Sequence, residues 1–198
     1  QQAVIYSHGL GTWEEKKQEG VGLGIELAKK KYVVLYPDAR NGLEYPTRTG
    51  ASDLHWGARF LRQNTNFNIQ KIGCMGSSYG NLAVFDLVNL YPYDCQAYFD
   101  IYGVMKNNYA VTAMQAPTLI QVGDADTMVD PQTSYDFDAR LDSERPELPH
   151  SLQVFPGEQH GFFFNPNSES AREAHQQMRE FYGWTLRGMQ KPEWFGLT

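Results

Sequence analysis

Basic runs, long apolar runs and cysteines are what this sequence has least of. No run of Lys or Arg exceeds Lys29, Lys30 and Lys31, and the formal net charge is −6. A phosphate backbone or an anionic bilayer surface selects for the opposite balance, so neither nucleic acid nor membrane is expected as a partner. No apolar run approaches the roughly 20 residues that span a bilayer. The two cysteines, Cys74 and Cys95, make neither a disulfide framework nor a metal-binding spacing such as C-x-x-C, so they indicate no redox compartment and no metal. Internal repeats, low-complexity tracts and linker-like shifts of composition are absent too, and a single domain over residues 1–198 is expected. The sequence starts at Gln1 without a basic-then-apolar leader, which leaves the compartment open, with a soluble and slightly more cytoplasmic expectation, and leaves open whether residues upstream belong to the native chain.

What the sequence does have is alternation. Short β-rich runs (Ala3 to Ser7, Tyr32 to Tyr36, Lys71 to Met75, Ala97 to Ile101, Thr118 to Val122, Leu152 to Phe155) are separated by helical stretches starting near Trp13, Ala51, Ser78, Pro131 and Ser168. Runs such as Tyr32-Val33-Val34-Leu35-Tyr36 carry no polar alternation, as expected when helices cover both faces of a parallel sheet. In the last helical stretch Ala171, Ala174, His175, Met178, Phe181 and Tyr182 recur at helical spacing and define one face to be buried. The fold class is therefore α/β, a mostly parallel sheet flanked by helices. In such sheets chemistry collects just beyond the carboxyl ends of the strands.

Those positions hold the reactive residues. Gly76-Ser77-Ser78-Tyr79-Gly80 fits G-x-S-x-G between a predicted strand and a predicted helix, and puts Ser78 at the apex of a sharp turn. Out of that context the same letters more often spell an ordinary Gly/Ser turn. A serine hydroxyl needs a base to take its proton and an acid to orient the base. Downstream, in the order Ser, Asp, His, lie Gly123-Asp124-Ala125-Asp126 and Gly157-Glu158-Gln159-His160-Gly161. Asp126, further into its loop, is the candidate acid, while Asp124 suits a turn-fixing role. His160 is the candidate base; His55, His150 and His175 suit packing or surface roles, and His8 suits shaping its own loop. Two main-chain amides, Leu10 in His8-Gly9-Leu10-Gly11 and Tyr79 after the serine, are the candidate oxyanion donors. Aromatics beside these loops, Trp13, Tyr45, Tyr102 and Phe162 among them, are candidates for a substrate pocket.

With those motifs in place the sequence resembles the α/β-hydrolase superfamily, and within it looks most like the dienelactone hydrolase family, with the catalytic domain of prolyl oligopeptidases second. The resemblance runs from the His8-Gly9 loop through the elbow at 76–80, the Gly123 to Val129 acid loop and His160-Gly161-Phe162 to the helix from Ser170 to Leu186. It implies a cofactor-free serine esterase with a small-molecule ester as substrate. Dienelactone hydrolases proper carry a cysteine nucleophile where this sequence has Ser78, which shifts the expectation toward ordinary carboxylic esters. The family sheet has two further strands before the one at Ala3, so the first one or two are missing here or lie upstream. An exposed parallel edge would call for a covering segment, a partner or a homodimer. Tyr102 to Ala116 leaves no room for a large helical lid, which points to short-chain or aryl esters in an open cleft. The rival readings are a peptidase of prolyl-oligopeptidase type and a non-catalytic ligand-binding module on the same scaffold.

Overall fold

The computed structural model describes residues 1–11, 13–38, 47–105 and 110–196, apart from the side chains of 13–15 and 47–48. In chain order the elements are β1 (Gln2–Ser7), α1 (Trp13–Lys29), β2 (Tyr32–Leu35), α2 (Thr47–Gln63), β3 (Lys71–Ser77), α3 (Gly80–Leu90), β4 (Ala97–Ile101), β5 (Thr118–Gly123), α4 (Gln132–Glu144), β6 (His150–Phe155), a single 3-10 turn (Phe162–Phe164) and α5 (Glu169–Arg187). The six strands form one sheet in the order β2-β1-β3-β4-β5-β6. Every pairing is parallel.

Strand periodicity sorts the core into two layers. In β1, Ala3 and Ile5 face one side, where α2 packs Ala51, Leu54, Ala58 and Leu61, α3 packs Val84, Leu87 and Val88, and α4 packs Phe137 and Leu141. Val4 and Tyr6 face the other side, where α1 contributes Leu23 and Leu27 and α5 contributes Ala174, Met178, Phe181, Tyr182 and Leu186. Both layers bury their share of each strand, which is why these strands read as uninterrupted apolar runs. Each large side chain so buried contributes about 1.5–3 kcal/mol.

Helix α5 shows how local sequence fixes an element. Ser168 Oγ accepts from the Ala171 amide at 3.2 Å and caps the start, while Gly188, at φ +70°, turns the chain out of the helix at the end. The apolar face expected from spacing is buried except at His175, which lies at the rim with a carboxylate partner.

One expectation is corrected. Cys74 and Cys95 are joined by a disulfide, with Cα atoms 5.7 Å apart, between β3 and the turn before β4. Their separation of 21 residues carries no motif, and only the pairing of β3 with β4 brings the two together.

The strand order reverses direction at β1. The chain steps outward from β1 to β2 and then returns to the other side of β1 at β3. Such a switch point opens a crevice at the carboxyl ends of the two adjacent strands, because the loops leaving them depart to opposite faces. Here those loops are the one after Ser7 and the one after Ser77.

Candidate active site

The loop after β3 is bent tightly enough to strain its central residue. Ser78 sits at φ +50°, in the left-handed region that side chains rarely adopt. Its glycines are sterically required: a Cβ on Gly76 would lie 2.6 Å from Asn81 Cα, and one on Gly80 would lie 2.1 Å from the His8 carbonyl oxygen. The first close approach lets α3 start directly beneath the strand, and the second brings the His8-Gly9 loop against the helix start. The backbone is held by the Ser78 amide donating to the Ile101 carbonyl at 3.0 Å and the Asn81 amide donating to the Ser78 carbonyl at 3.1 Å.

Three residues from three loops converge there. Ser78 Oγ lies 3.0 Å from His160 Nε2, and His160 Nδ1 lies 2.7 Å from Asp126 Oδ2. The other Asp126 oxygen accepts from the amides of Met128 at 2.8 Å and Val129 at 3.0 Å. The acid is thus oriented on both sides, and its side chain is wholly buried while the His160 side chain keeps 14% exposure. The acid and base loops are tied together as well. Ala125 N–H donates to the Glu158 carbonyl at 3.2 Å, and Asp124 accepts from the Gly157 amide at 2.6 Å, which is the turn-fixing task its position suggested.

Most of the remaining candidates lie in the loops around this line. The Leu10 and Tyr79 amides donate to no backbone carbonyl among the described residues. Gly9 packs against the serine, with the position of an added Cβ only 3.0 Å from Ser78 Cβ. His8 is buried, donates from Nδ1 to the Gly9 carbonyl at 2.7 Å, and is held below the usual histidine range chiefly by that burial. It shapes the loop in its neutral form. Tyr102 and Phe162, candidates for the pocket, are only 3% and 4% exposed. The Tyr102 ring lies 4.6 Å from the His160 ring and 5.9 Å from that of Phe162, so Tyr102 backs the imidazole and Phe162 packs on Tyr102. Burial, reinforced by the negative charge of Glu19 and Asp126 nearby, pushes the Tyr102 hydroxyl well above its ordinary range, so it is a neutral wall. Tyr45 and the side chain of Trp13 lie outside the described residues. Of the other histidines, His55 pairs with Asp94 and stacks on Tyr91, and His150 faces Asp142.

A nucleophile, a base with its second nitrogen on a buried acid, and amides at the neck of a glycine-rich loop are the parts of acyl transfer. Among the described residues no cluster of His, Cys, Asp and Glu could hold a metal ion.

The model of the dienelactone hydrolase family matches residues 42–185. The chain belongs to the dienelactone hydrolase family. A carboxymethylenebutenolidase homologue of Mus musculus is 29% identical over 104 residues, which make up 52% of this chain and 41% of that protein. The match therefore spans less than half the length of that relative. Among solved structures, an esterase of Pyrococcus furiosus has a TM-score of 0.73 at 21% identity, over 93% of this chain and 83% of its own. Esterase 2 of Thermogutta terrifontis, phosphorylated by paraoxon, has a TM-score of 0.70 at 17% identity, over 98% and 85%. At such identities the likeness establishes a shared α/β-hydrolase fold.

Proposed function

We propose that this member of the dienelactone hydrolase family is a serine hydrolase that cleaves carboxylic esters through an acyl-enzyme on Ser78, within one α/β-hydrolase domain. The observation that carries the reading is the continuous line from Ser78 Oγ through both nitrogens of His160 to Asp126. His160 Nε2 takes the Ser78 proton as the oxygen attacks the ester carbonyl. Asp126, acceptor from Nδ1, holds the tautomer that leaves Nε2 free to do so and stabilises the imidazolium that forms. The Leu10 and Tyr79 amides receive the oxyanion, a role worth roughly 3 kcal/mol for each donor. The imidazolium then protonates the leaving alcohol, and water repeats the sequence on the acyl-enzyme. No step calls for a cofactor.

Short-chain or aryl esters are the substrates that suit this chain best. The described residues between β4 and β5 form no helix, which supports an open approach to the serine. Nor is any helix among the described residues long and apolar enough to cross a membrane.

The test is hydrolysis of a p-nitrophenyl ester series from acetate to long acyl chains, beside Ser78→Ala. Activity should peak at short chains, and the variant should lose about 10⁴-fold or more in kcat while keeping the parental melting curve. Parental turnover by a folded Ser78→Ala would refute the assignment. Aminoacyl-arylamides cleaved as fast as aryl esters would move it to a peptidase, and failure of Ser78 to react with a phosphonate would make the chain a binding module.

A further inference from the structure

Beneath the elbow, on the α3 side of the sheet, lies a fully buried polar cluster that the proposed reaction does not use. Tyr98 and Asp100 of β4 and Asn81 in the first turn of α3 are all 0% exposed. The Tyr98 hydroxyl donates to Asn81 Oδ1 at 2.6 Å, and Asn81 Nδ2 donates to Asp100 Oδ2 at 3.0 Å. Asp100 Oδ1 accepts from the Gly103 amide at 2.8 Å. No Lys or Arg among the described residues forms an ion pair with Asp100. Burial pushes its carboxyl up to about 7, against the two hydrogen bonds that favour the charged form. An unpaired buried carboxylate is costly, and an apolar side chain would fill the same space without that cost.

What the carboxylate holds is a bend. Tyr102 is, besides Ser78, the other non-glycine residue near the site among the described residues that adopts a left-handed backbone, at φ +38°. The bend is closed by Asp100 reaching across it to Gly103, where no side chain fits: an added Cβ would lie 2.2 Å from Asn81 Nδ2 and 2.3 Å from Asp100 Oδ1. Two consequences reach the catalytic line. The next amide, Val104, donates to the Ser78 carbonyl at 3.1 Å, and the bend aims the Tyr102 ring at His160. The strained serine and the wall behind its base are thus set by one short segment, residues 101–104, which Asp100 and Asn81 pin to β4 and α3.

We propose that Asp100, acting with Asn81, is a positioning residue for the Ser78–His160 line: it fixes the left-handed bend at Tyr102, and through it the carbonyl of the nucleophile and the packing of the base. This rests on the serine-hydrolase reading above. Both Asp100 oxygens face donors, so an amide there leaves one donor buried against another. Turning Asn81 over to relieve this would leave the Tyr98 O–H proton without its acceptor.

The experiment compares Asp100→Asn with the exchange variant Asp100→Asn plus Asn81→Asp. In the exchange the carboxylate at 81 accepts from the Tyr98 hydroxyl and the new amide at 100, whose oxygen still accepts from Gly103. The readout is the rate and stoichiometry of Ser78 reaction with a fluorophosphonate, followed by intact mass, with kcat and KM on p-nitrophenyl acetate alongside. Asp100→Asn should react at least about tenfold more slowly while still reaching one label per chain, with kcat lowered and KM within about twofold. The exchange should recover the parental rate within about threefold. Complete but slow labelling separates a misplaced nucleophile from a smaller folded fraction, which would lower the final stoichiometry. Parental labelling rates in Asp100→Asn overturn the inference and leave the serine-hydrolase reading intact. If Asp100→Asn does not fold, the exchange variant decides: a folded exchange that reacts more than about tenfold too slowly overturns it. A parent that takes no label removes the serine-hydrolase reading, and this inference with it.

Discussion

Two histidine–carboxylate pairs in this molecule are nearly superposable as drawings and differ in what the outer nitrogen meets. His160 pairs with Asp126 and His175 with Glu26, in each case through Nδ1. The Nε2 of His160 faces the Ser78 hydroxyl, whereas that of His175 faces the Phe163 carbonyl at 2.9 Å. A hydroxyl can surrender a proton and a carbonyl cannot, so the second imidazole is a bracket between α1, α5 and the 3-10 turn. The carboxylates differ in the same sense. Asp126 is completed by backbone amides and pairs with no Lys or Arg among the described residues, while Glu26 is shared with Arg179. His175 is also clamped flat on Phe163, with ring centroids 4.0 Å apart, as suits an anchor within a helix. A buried or half-buried histidine on a carboxylate is thus ordinary here, His55 with Asp94 being another case, and it is the group beyond the ring that sets His160 apart from His175.

The comparison breaks most sharply at the acid. Asp126→Asn should lower kcat by about 10³–10⁴-fold, because an amide that accepts from the Met128 and Val129 amides can present its nitrogen to the imidazole and hold the wrong tautomer. His175→Ala in the same ester assay should leave turnover within about twofold, whatever it does to melting. Equal losses in the two variants would mean that the outer nitrogen is not the distinguishing feature.

A second contrast sets Asp100, a buried carboxylate that pairs with no Lys or Arg among the described residues, against Glu26, which is held by His175 and Arg179. Because the folded-state value of Asp100 is raised to about 7, the native state holds a proton that the unfolded chain has already released. Stability from this group is full at acid pH and is lost as the pH rises toward that value, by about 1.4 kcal/mol per unit in between. Asp100→Asn has no such loss. Urea unfolding of parent and variant at pH 5 and pH 7.5 should therefore show the variant gaining on the parent by about 2–3 kcal/mol across the interval. A gap that stays constant with pH would mean that Asp100 titrates in its ordinary range.

What could be read from the letters follows from the range of the interaction. The elbow was legible because the steric demand of a strand-to-helix turn writes its glycines at fixed offsets around Ser78, and the acid and base because each follows its strand in order. The two-sided sheet was legible in the unbroken apolar runs, since α helices cover both faces. The disulfide was not, because Cys74 and Cys95 meet only through the β3–β4 register. The Asp100 cluster was hidden for the same reason. Asp100 inside the strand Ala97-Tyr98-Phe99-Asp100-Ile101 belongs to no motif, and only the placement of Asn81 and Gly103 against it shows two donors waiting. Tyr102 and Phe162 are candidates for a pocket because aromatics beside a serine loop suggest one; their burial could not be read from the letters, since sequence does not announce a left-handed bend at a non-glycine such as Tyr102, whose ring lies against His160.

The smallest effect is expected at Glu26, and it tests the anchor directly. Burial alone would raise this carboxyl, but the hydrogen bonds and charge of His175 and Arg179 outweigh it and hold it below the usual glutamate range. A lowered folded-state value contributes stability above the ordinary range, and that contribution is lost as the pH falls through the lowered one. Glu26→Gln keeps the shape and one hydrogen bond but not the charge, and the pair is partly exposed, with 27% of the Glu26 side chain open to solvent. The expected loss near neutral pH is about 1 kcal/mol or less. It should shrink as the solution is acidified toward the point where the parental carboxyl is protonated, while ester turnover at neutral pH stays at the parental level. A loss that persists unchanged in acid would assign the anchor to packing of His175 on Phe163, and a fall in turnover would show that the bracket between α1 and α5 reaches the Ser78 line after all.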